Sequence, residues 1–317
     1  MESKIAILMS TYNGERYLDE QIQSIQNQTN SDWHLYIRDD KSQDSTSKIL
    51  EKYDDLDKRI TFVNRDKINN VGVNKSFMTL LEHATAEVYM FCDQDDVWKA
   101  DKVQITYDKM MQEDYQSIPI CVFTDLEIVD ADLNPERVMN GDNIWTEFLE
   151  LLFTNCVTGC TVMVNQCLKQ LIDFKHLNYD DIYMHDWWVG IIAAGLGKAI
   201  YINEPTIYYR QHGDNVVGSM ELNTIGRLIH RATHLGPELK HVGQIVRISH
   251  EFNKIYGNQM TGRNKKYLEA YAALYTDSGF WHNLGLVLRM PPQRLNPKGK
   301  LFYSYMFVIY NKLFKIA

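Results

Sequence analysis

The chain is short of cysteine. Cys92, Cys121, Cys156, Cys160 and Cys167 are the only five, and no two form a Cys-x-x-Cys pair. That excludes a disulfide framework and predicts buried thiols in a reducing compartment. Cys156 and Cys160 have no Cys or His partner at zinc-finger spacing, so both read as small hydrophobes. With 17 glycines the chain has too few for a collagen-like repeat, and the absence of any low-complexity tract excludes a disordered chain. No basic N-terminal region leads into a long apolar run; Lys4–Met9 reads as a first strand. The expectation is a cytoplasmic protein.

What is present fits a folded α/β protein. Hydrophobic residues make up 45% of 317 and charged residues 23%, enough for two domains or one large domain with an appendage. The net charge of −8 conceals a split. Residues 1–221 hold 19 basic and 37 acidic side chains, 19 − 37 = −18, and residues 222–317 hold 14 and 4, 14 − 4 = +10. Either an acidic domain holds its own basic tail, or the tail meets an anionic surface.

Strand and helix patterns alternate. Strands are expected at Ile5–Met9, Trp33–Ile37, Ile60–Asn64, Val88–Cys92 and Cys121–Thr124, and strand character over Thr158–Val164. Helices are expected around Leu18, Ile22 and Ile25, then at Ser45–Tyr53, Asn74–His83, Cys167–Phe174 and His185–Ala194. Ala199–Ile202 and Thr206–Tyr209 read as two short strands. Leu222–His234, Leu239–Tyr256 and Asn264–Asp277 have helical periodicity, and Pro291-Pro292 breaks the chain before a last segment. The alternation predicts βαβ units with a mainly parallel sheet, whose strand C-termini line one edge where ligands bind. Polar clusters fall at that edge, with Asp125 expected at a strand end.

Asp93, Asp95 and Asp96 follow a buried strand and repel one another, so a counter-cation relieves them; magnesium accepts such oxygen ligands. The plainer reading makes Asp96 a helix cap and leaves the others solvated. Phe91–Val97 also fits the opening of a haloacid-dehalogenase-type phosphatase. That scheme needs an Asp four residues after a Gly-Asp pair, and Gly141-Asp142 is followed by Thr146 at that place.

Five stretches together resemble the family-2 glycosyltransferases of GT-A fold: Met9–Gly14, Ile37–Thr46, Asn70-Val71-Gly72, Cys92–Trp98 and His185–Trp188. Asp93–Trp98, His185-Asp186-Trp187 and Tyr209–Gly218 are most similar to bacterial rhamnosyltransferases of cell-surface polysaccharides. The resemblance implies a GT-A domain over 1–218, a Rossmann-like mainly parallel sheet flanked by helices, followed by an α-helical C-terminal domain over 219–317. It implies that Ser10, Thr11 and Tyr12 seat a nucleotide base, with Asp40 accepting its N3–H; an Asx turn at Asp39 and Asp40 is the plainer alternative. Glu15 would reach the ribose, Lys75 a phosphate, and Asp93 the ribose or the metal. Asp95 and His212 complete the ligands for manganese or magnesium. Asp186 is the expected catalytic base, with Trp187 and Trp188 lowering local polarity and offering a sugar-stacking face; an N-cap is its plainer role.

The implied reaction is inverting transfer of L-rhamnose from dTDP-β-L-rhamnose to a lipid-linked saccharide. A UDP-sugar donor (galactofuranose or glucose) and a catalytically silent sugar-nucleotide-binding subunit are the alternatives. Leu301–Lys315 is aromatic, apolar and flanked by lysines, shorter than the ~20 residues that span a bilayer. It suits the inner face of the plasma membrane or a homo-oligomer contact. No nucleic-acid recognition motif is present.

Overall fold

Apolar strands build the sheet from its centre outward. The computed structural model describes residues 3–141, 143–211, 236–276, 279–293 and 297–310. β1 (Ile5–Thr11) is buried at every position but Ser10 and pairs in parallel with β2 (Trp33–Asp39) and β4 (Val88–Cys92). β2 alternates Trp33, Leu35 and Ile37 inward, and β3 (Ile60–Phe62) pairs with it in parallel. β4 is buried throughout, as its unbroken run Val-Tyr-Met-Phe-Cys requires.

Helices α1 (Leu18–Gln26), α2 (Thr46–Leu56) and α3 (Val73–His83) make the crossovers. α1 forms because Leu18, Ile22 and Ile25 fall on one stripe, and all three are fully buried. Each such side chain contributes about 1.5–3 kcal/mol of burial.

The chain continues through β5 (Val97–Trp98), α4 (Lys102–Met111), β6 (Ile120–Val129), β7 (Pro135–Val138) and α5 (Phe148–Phe153). Then come β8 (Val162–Asn165), α6 (Gln166–Gln170), α7 (Tyr179–Ile182), α8 (His185–Leu196) and β9 (Lys198–Arg210). The strand order is β3-β2-β1-β4-β8-β6-β9-β5, with β7 beside β6. β8 runs antiparallel to both β4 and β6, so it is the reversed strand between the parallel sets β3-β2-β1-β4 and β6-β9. α8 is buried from His185 to Ala193, the mark of a helix apolar all round.

Several sequence expectations need correction. Asp125 lies in the middle of β6, not at a strand end. Strand character over Thr158–Val164 resolves into a 3₁₀ turn at Gly159–Thr161 followed by β8. The helix expected to reach Phe174 ends at Gln170; Asp173 instead accepts from the N–H of Lys175 and His176 in a turn of its own. The two short strands near residue 200 are one, β9, whose register against β6 shifts at Asp125 opposite Pro205, where a ladder donor is missing. All five cysteines are free, with Cys92, Cys121 and Cys160 buried.

The chain divides into two compact units: Met1–Thr146, Cys156–Leu177 and Met184–Asp214 in one, and Glu147–Asn155, Asn178–Tyr183 and Asn215–Ala317 in the other. The second unit is helical, with α9 (Gly236–Tyr256), α10 (Gly262–Ala272), α11 (Phe280–Arg289) and α12 (Pro297–Ile309) joining α5 and α7. Its core packs Phe252 of α9 on Phe148 and Tyr271 of α10 on Phe153. Arg247 pairs with the buried Asp181 at 3.2 Å, and buried Glu251 accepts from the N–H of Asn178. Leu222–His234, expected to be helical, lies outside the described residues.

Candidate active site

The C-terminal ends of β1, β2 and β4 lie side by side, Met9 opposite Cys92 and Thr11 opposite Asp39. This edge gathers most of the singled-out residues. Thr11 is buried, and its hydroxyl donates to Asp39 Oδ1 at 3.0 Å. Asp39 also accepts from Ser42 N at 2.9 Å and Ser42 Oγ at 2.5 Å, so it closes the turn after β2. Ser10 donates to Ser76 Oγ at 2.7 Å. Tyr12 is 52% exposed at the lip of the edge.

Asp40 is deeply held. Its Oδ1 accepts from Arg38 at 2.7 Å and Val71 N at 2.7 Å, and its Oδ2 from Gly72 N at 2.9 Å. A carboxylate has about four acceptor sites, so one remains for a further donor. Arg38 is itself buried and spans to Asn69 through the backbone oxygen at 2.8 Å and Oδ1 at 2.9 Å. No motif assigns Arg38; its only signal in the sequence is a charged residue at the end of an apolar strand. Glu15 accepts at 2.7 Å from the backbone N–H of Ser45, the residue that precedes α2. Lys75 is exposed in the first turn of α3.

The Asp93–Asp96 loop follows β4. Gln94, also unassigned from sequence, clamps the first loop with both ends of its amide. Its Oε1 accepts from Tyr12 N at 2.8 Å and its Nε2 donates to Tyr12 O at 2.9 Å. Gly14 makes room: a Cβ there would stand 2.3 Å from Gln94 Oε1. Asp96 does not cap a helix. Val97 and Trp98 pair with β9, α4 starts only at Lys102 behind Asp101, and Asp96 is fully buried.

Asp93, Asp96 and Cys160 bring one ligand atom each within 4.8 Å of one another. Asp96 Oδ2 is buried without a hydrogen-bond partner. Desolvation, followed by the charges of Asp95 and Asp186, pushes the Asp93 carboxyl up; desolvation and the charges of Asp95 and Asp93 push Asp96 well up. Such a cluster is short of positive charge. Lys102 supplies some: it is fully buried, its Nζ lies 4.8 Å from the centre of the Trp98 ring, and burial pushes its ammonium down to about 8. Hard carboxylate oxygens and an orphaned Oδ2 fit a divalent cation, with the sulfur of Cys160 as a softer neighbour. Cys160 lies 64 residues beyond Asp96 in sequence, so no spacing pattern exposed it. His212, the third expected ligand, lies outside the described residues.

Asp186 sits at the first turn of α8, 8% exposed. Its Oδ2 accepts from Gly159 N at 3.0 Å and its Oδ1 from the N–H of Trp187 at 2.5 Å. Its charge is among those that raise the Asp93 carboxyl, after desolvation and the charge of Asp95. Trp187 and Trp188 are 2% and 0% exposed, so they lower polarity around Asp186 but offer no sugar-stacking face. His185 stacks on Phe77, ring centres 4.2 Å apart, and meets Phe91 edge-on at 4.7 Å. Neither ring nitrogen has a hydrogen-bond partner, and burial pushes the imidazole down to about 3, so it is neutral. Asp125 organises the neighbouring loop, accepting from Asn140 N, Gly141 N and Tyr201 Oη. Its structural role is the observed one.

Residues 6–179 match the family described as Glycosyl transferase family 2. The chain is 30% identical over 224 residues to the dTDP-rhamnosyl transferase RfbG of Shigella flexneri, covering 67% of this chain and 74% of the relative. It is 27% identical over 200 residues to the UDP-Glc:alpha-D-GlcNAc-diphosphoundecaprenol beta-1,3-glucosyltransferase WfgD of Escherichia coli, covering 62% and 72%. Among solved structures, TarS 1-349 of S. aureus in complex with UDP-GlcNAc superposes with a TM-score of 0.52 at 14% identity, over 98% of this chain and 92% of that one. That likeness is one of fold.

Proposed function

The chain belongs to glycosyl transferase family 2, and from that premise we propose that it transfers L-rhamnose from dTDP-β-L-rhamnose, with inversion, to a hydroxyl of a lipid-linked cell-surface saccharide. The observation that carries the reading is the placement of Asp186. Its carboxylate is oriented by Gly159 N–H, walled by buried tryptophans, and electrostatically linked to the carboxylates after β4. A base held there removes the proton from the acceptor hydroxyl as that oxygen attacks the anomeric carbon from the face opposite the leaving group. One in-line displacement inverts configuration and needs no enzyme nucleophile.

Tyr12, Asp40 and the loop held by Gln94 bind the nucleoside in this reading, the remaining acceptor site of Asp40 taking the base N3–H. Asp93, Asp96 and Cys160, with Asp95 beside them, would hold manganese or magnesium. Held by these residues, such a cation would supply positive charge opposite the departing nucleoside diphosphate. Rhamnose is favoured by the motifs Asp93–Trp98 and His185–Trp187 and by the similarity to a dTDP-rhamnosyl transferase. The lipid-linked acceptor is favoured by the similarity to an enzyme acting on a diphosphoundecaprenol sugar, and the reading includes work at the inner face of the plasma membrane.

A donor screen tests the proposal. Thermal-shift and transfer assays with manganese or magnesium should show dTDP-rhamnose stabilising and turning over ahead of UDP-glucose and UDP-galactofuranose. Turnover of a UDP-sugar alone would overturn the rhamnose assignment. Donor binding without transfer to any acceptor would favour a silent binding subunit.

A further inference from the structure

We propose that α11 and α12 of the helical unit form a docking surface for anionic phospholipid, with Trp281 as its principal apolar anchor. The surface stands on observations independent of the sugar-transfer chemistry.

α11 has two sharply different faces. Asn283, Leu286 and Val287 are buried, and Asn283 Nδ2 donates to Phe307 O of α12 at 2.8 Å, which fixes that side against its neighbour. On the opposite face Trp281 is 79% exposed and Leu288, seven residues on, is 74% exposed. Two turns of helix separate them along one stripe. Phe280 meets Trp281 edge-on at 5.0 Å and is itself exposed. α12 repeats the arrangement. Met306, Phe307 and Val308 are buried, while Leu301, Tyr305 and Ile309 are exposed at four-residue spacing. A solvated face would not carry a tryptophan and four aliphatic or aromatic side chains at helical spacing.

Charge names the occupant. From residue 278 to residue 317 the sequence contains no Asp or Glu and six basic residues, Arg289, Arg294, Lys298, Lys300, Lys312 and Lys315. Among those described, Lys298 and Arg289 are exposed beside the two apolar stripes. Apolar stripes with basic flanks and no acid match a bilayer interface bearing anionic headgroups, where tryptophan sits at the boundary. A second copy of the chain would set Arg289, Lys298 and Lys300 against like charges, with no acid in residues 278–317 to meet them. No described helix is long and apolar enough to cross a membrane, so the contact is interfacial.

The full chain should be floated with neutral phosphatidylcholine vesicles and with vesicles containing phosphatidylglycerol, while tryptophan emission is followed. Partition should be at least tenfold stronger with the anionic lipid, with a blue shift, and should weaken with salt. The W281Q/L288Q variant should lose at least tenfold of that binding while its thermal-shift response to nucleotide stays unchanged. Equal flotation on both lipids, no flotation, or undiminished binding by the variant would overturn the proposal. A wild-type dimer converted to monomer by W281Q/L288Q, without vesicle binding, would assign the face to a second copy instead.

Discussion

The N–H of Gly159 donates to Oδ2 of Asp186 at 3.0 Å, and the hydrogen that glycine carries in place of a side chain leaves space for His185 beside it. A Cβ at residue 159 would stand 2.8 Å from His185 Nε2 and 3.5 Å from Asp186 Oδ2. Gly159→Ala should therefore displace the imidazole and turn the carboxylate. The expected outcome is a fall in kcat of at least tenfold with donor KM little changed, and a stability loss of about 1–3 kcal/mol. Unchanged steady-state kinetics would show that the contact does not orient the base.

Asp186→Asn keeps the size of the side chain and removes its basicity. Transfer should fall by roughly 10²–10⁴-fold, while nucleotide affinity, measured by calorimetry, stays within about twofold. Retained transfer would put the base elsewhere.

Gln94→Ala removes both hydrogen bonds that hold the backbone of Tyr12. Because Tyr12 is half exposed, water replaces part of the loss, so a net cost of about 1 kcal/mol is expected. It should be read as a severalfold rise in donor KM with kcat nearly preserved. Gly14→Ala should give the same signature, because its Cβ would strike the same amide.

Acid should destabilise the fold partly through His185. Burial holds its pKa at about 3 in the native state, below the ordinary histidine value of 6.5. The unfolded chain binds the extra proton between those values, so this contribution is complete above pH 6.5 and is lost as pH falls toward 3. Between pH 6.5 and 5 the loss is about 2 kcal/mol. His185→Phe, which keeps a ring against Phe77 and Phe91, should flatten the urea-unfolding stability profile by that amount. An unaltered slope would mean that the imidazole is not buried neutral.

Asp96 and Lys102 are both fully buried; the Asp96 charge is among those that favour the Lys102 ammonium, and both groups act on the thiol of Cys160. Removing one partner strands the other. Lys102→Met and Asp96→Asn should each cost about 2–4 kcal/mol, and the double substitution distinctly less than their sum. Strict additivity in the double-mutant cycle would show that the two do not compensate each other.

The sequence alone determined the elements whose side chains bury one continuous face. β1, β4 and α8 announce themselves by unbroken apolar runs, and α1 by Leu18, Ile22 and Ile25, because local periodicity decides which face must leave water. The order of polar clusters after those strands pointed to one sheet edge, and the resemblance to family-2 glycosyltransferases singled out Asp186 as a candidate base. Only the tertiary structure decided what those groups touch. Gln94 reaches Tyr12 across 82 residues and Gly159 reaches Asp186 across 27. Cys160 joins the Asp93–Asp96 loop because β8 inserts in reverse beside β4, and no periodicity reports the direction of an inserted strand. The same holds for Asp125, placed in mid-strand by a longer β6, and for Trp187 and Trp188, which pack inward because α8 is covered on all sides. Hydrophobic pattern is a property of neighbours in the chain; a carboxylate's partners and its protonation are properties of neighbours in space.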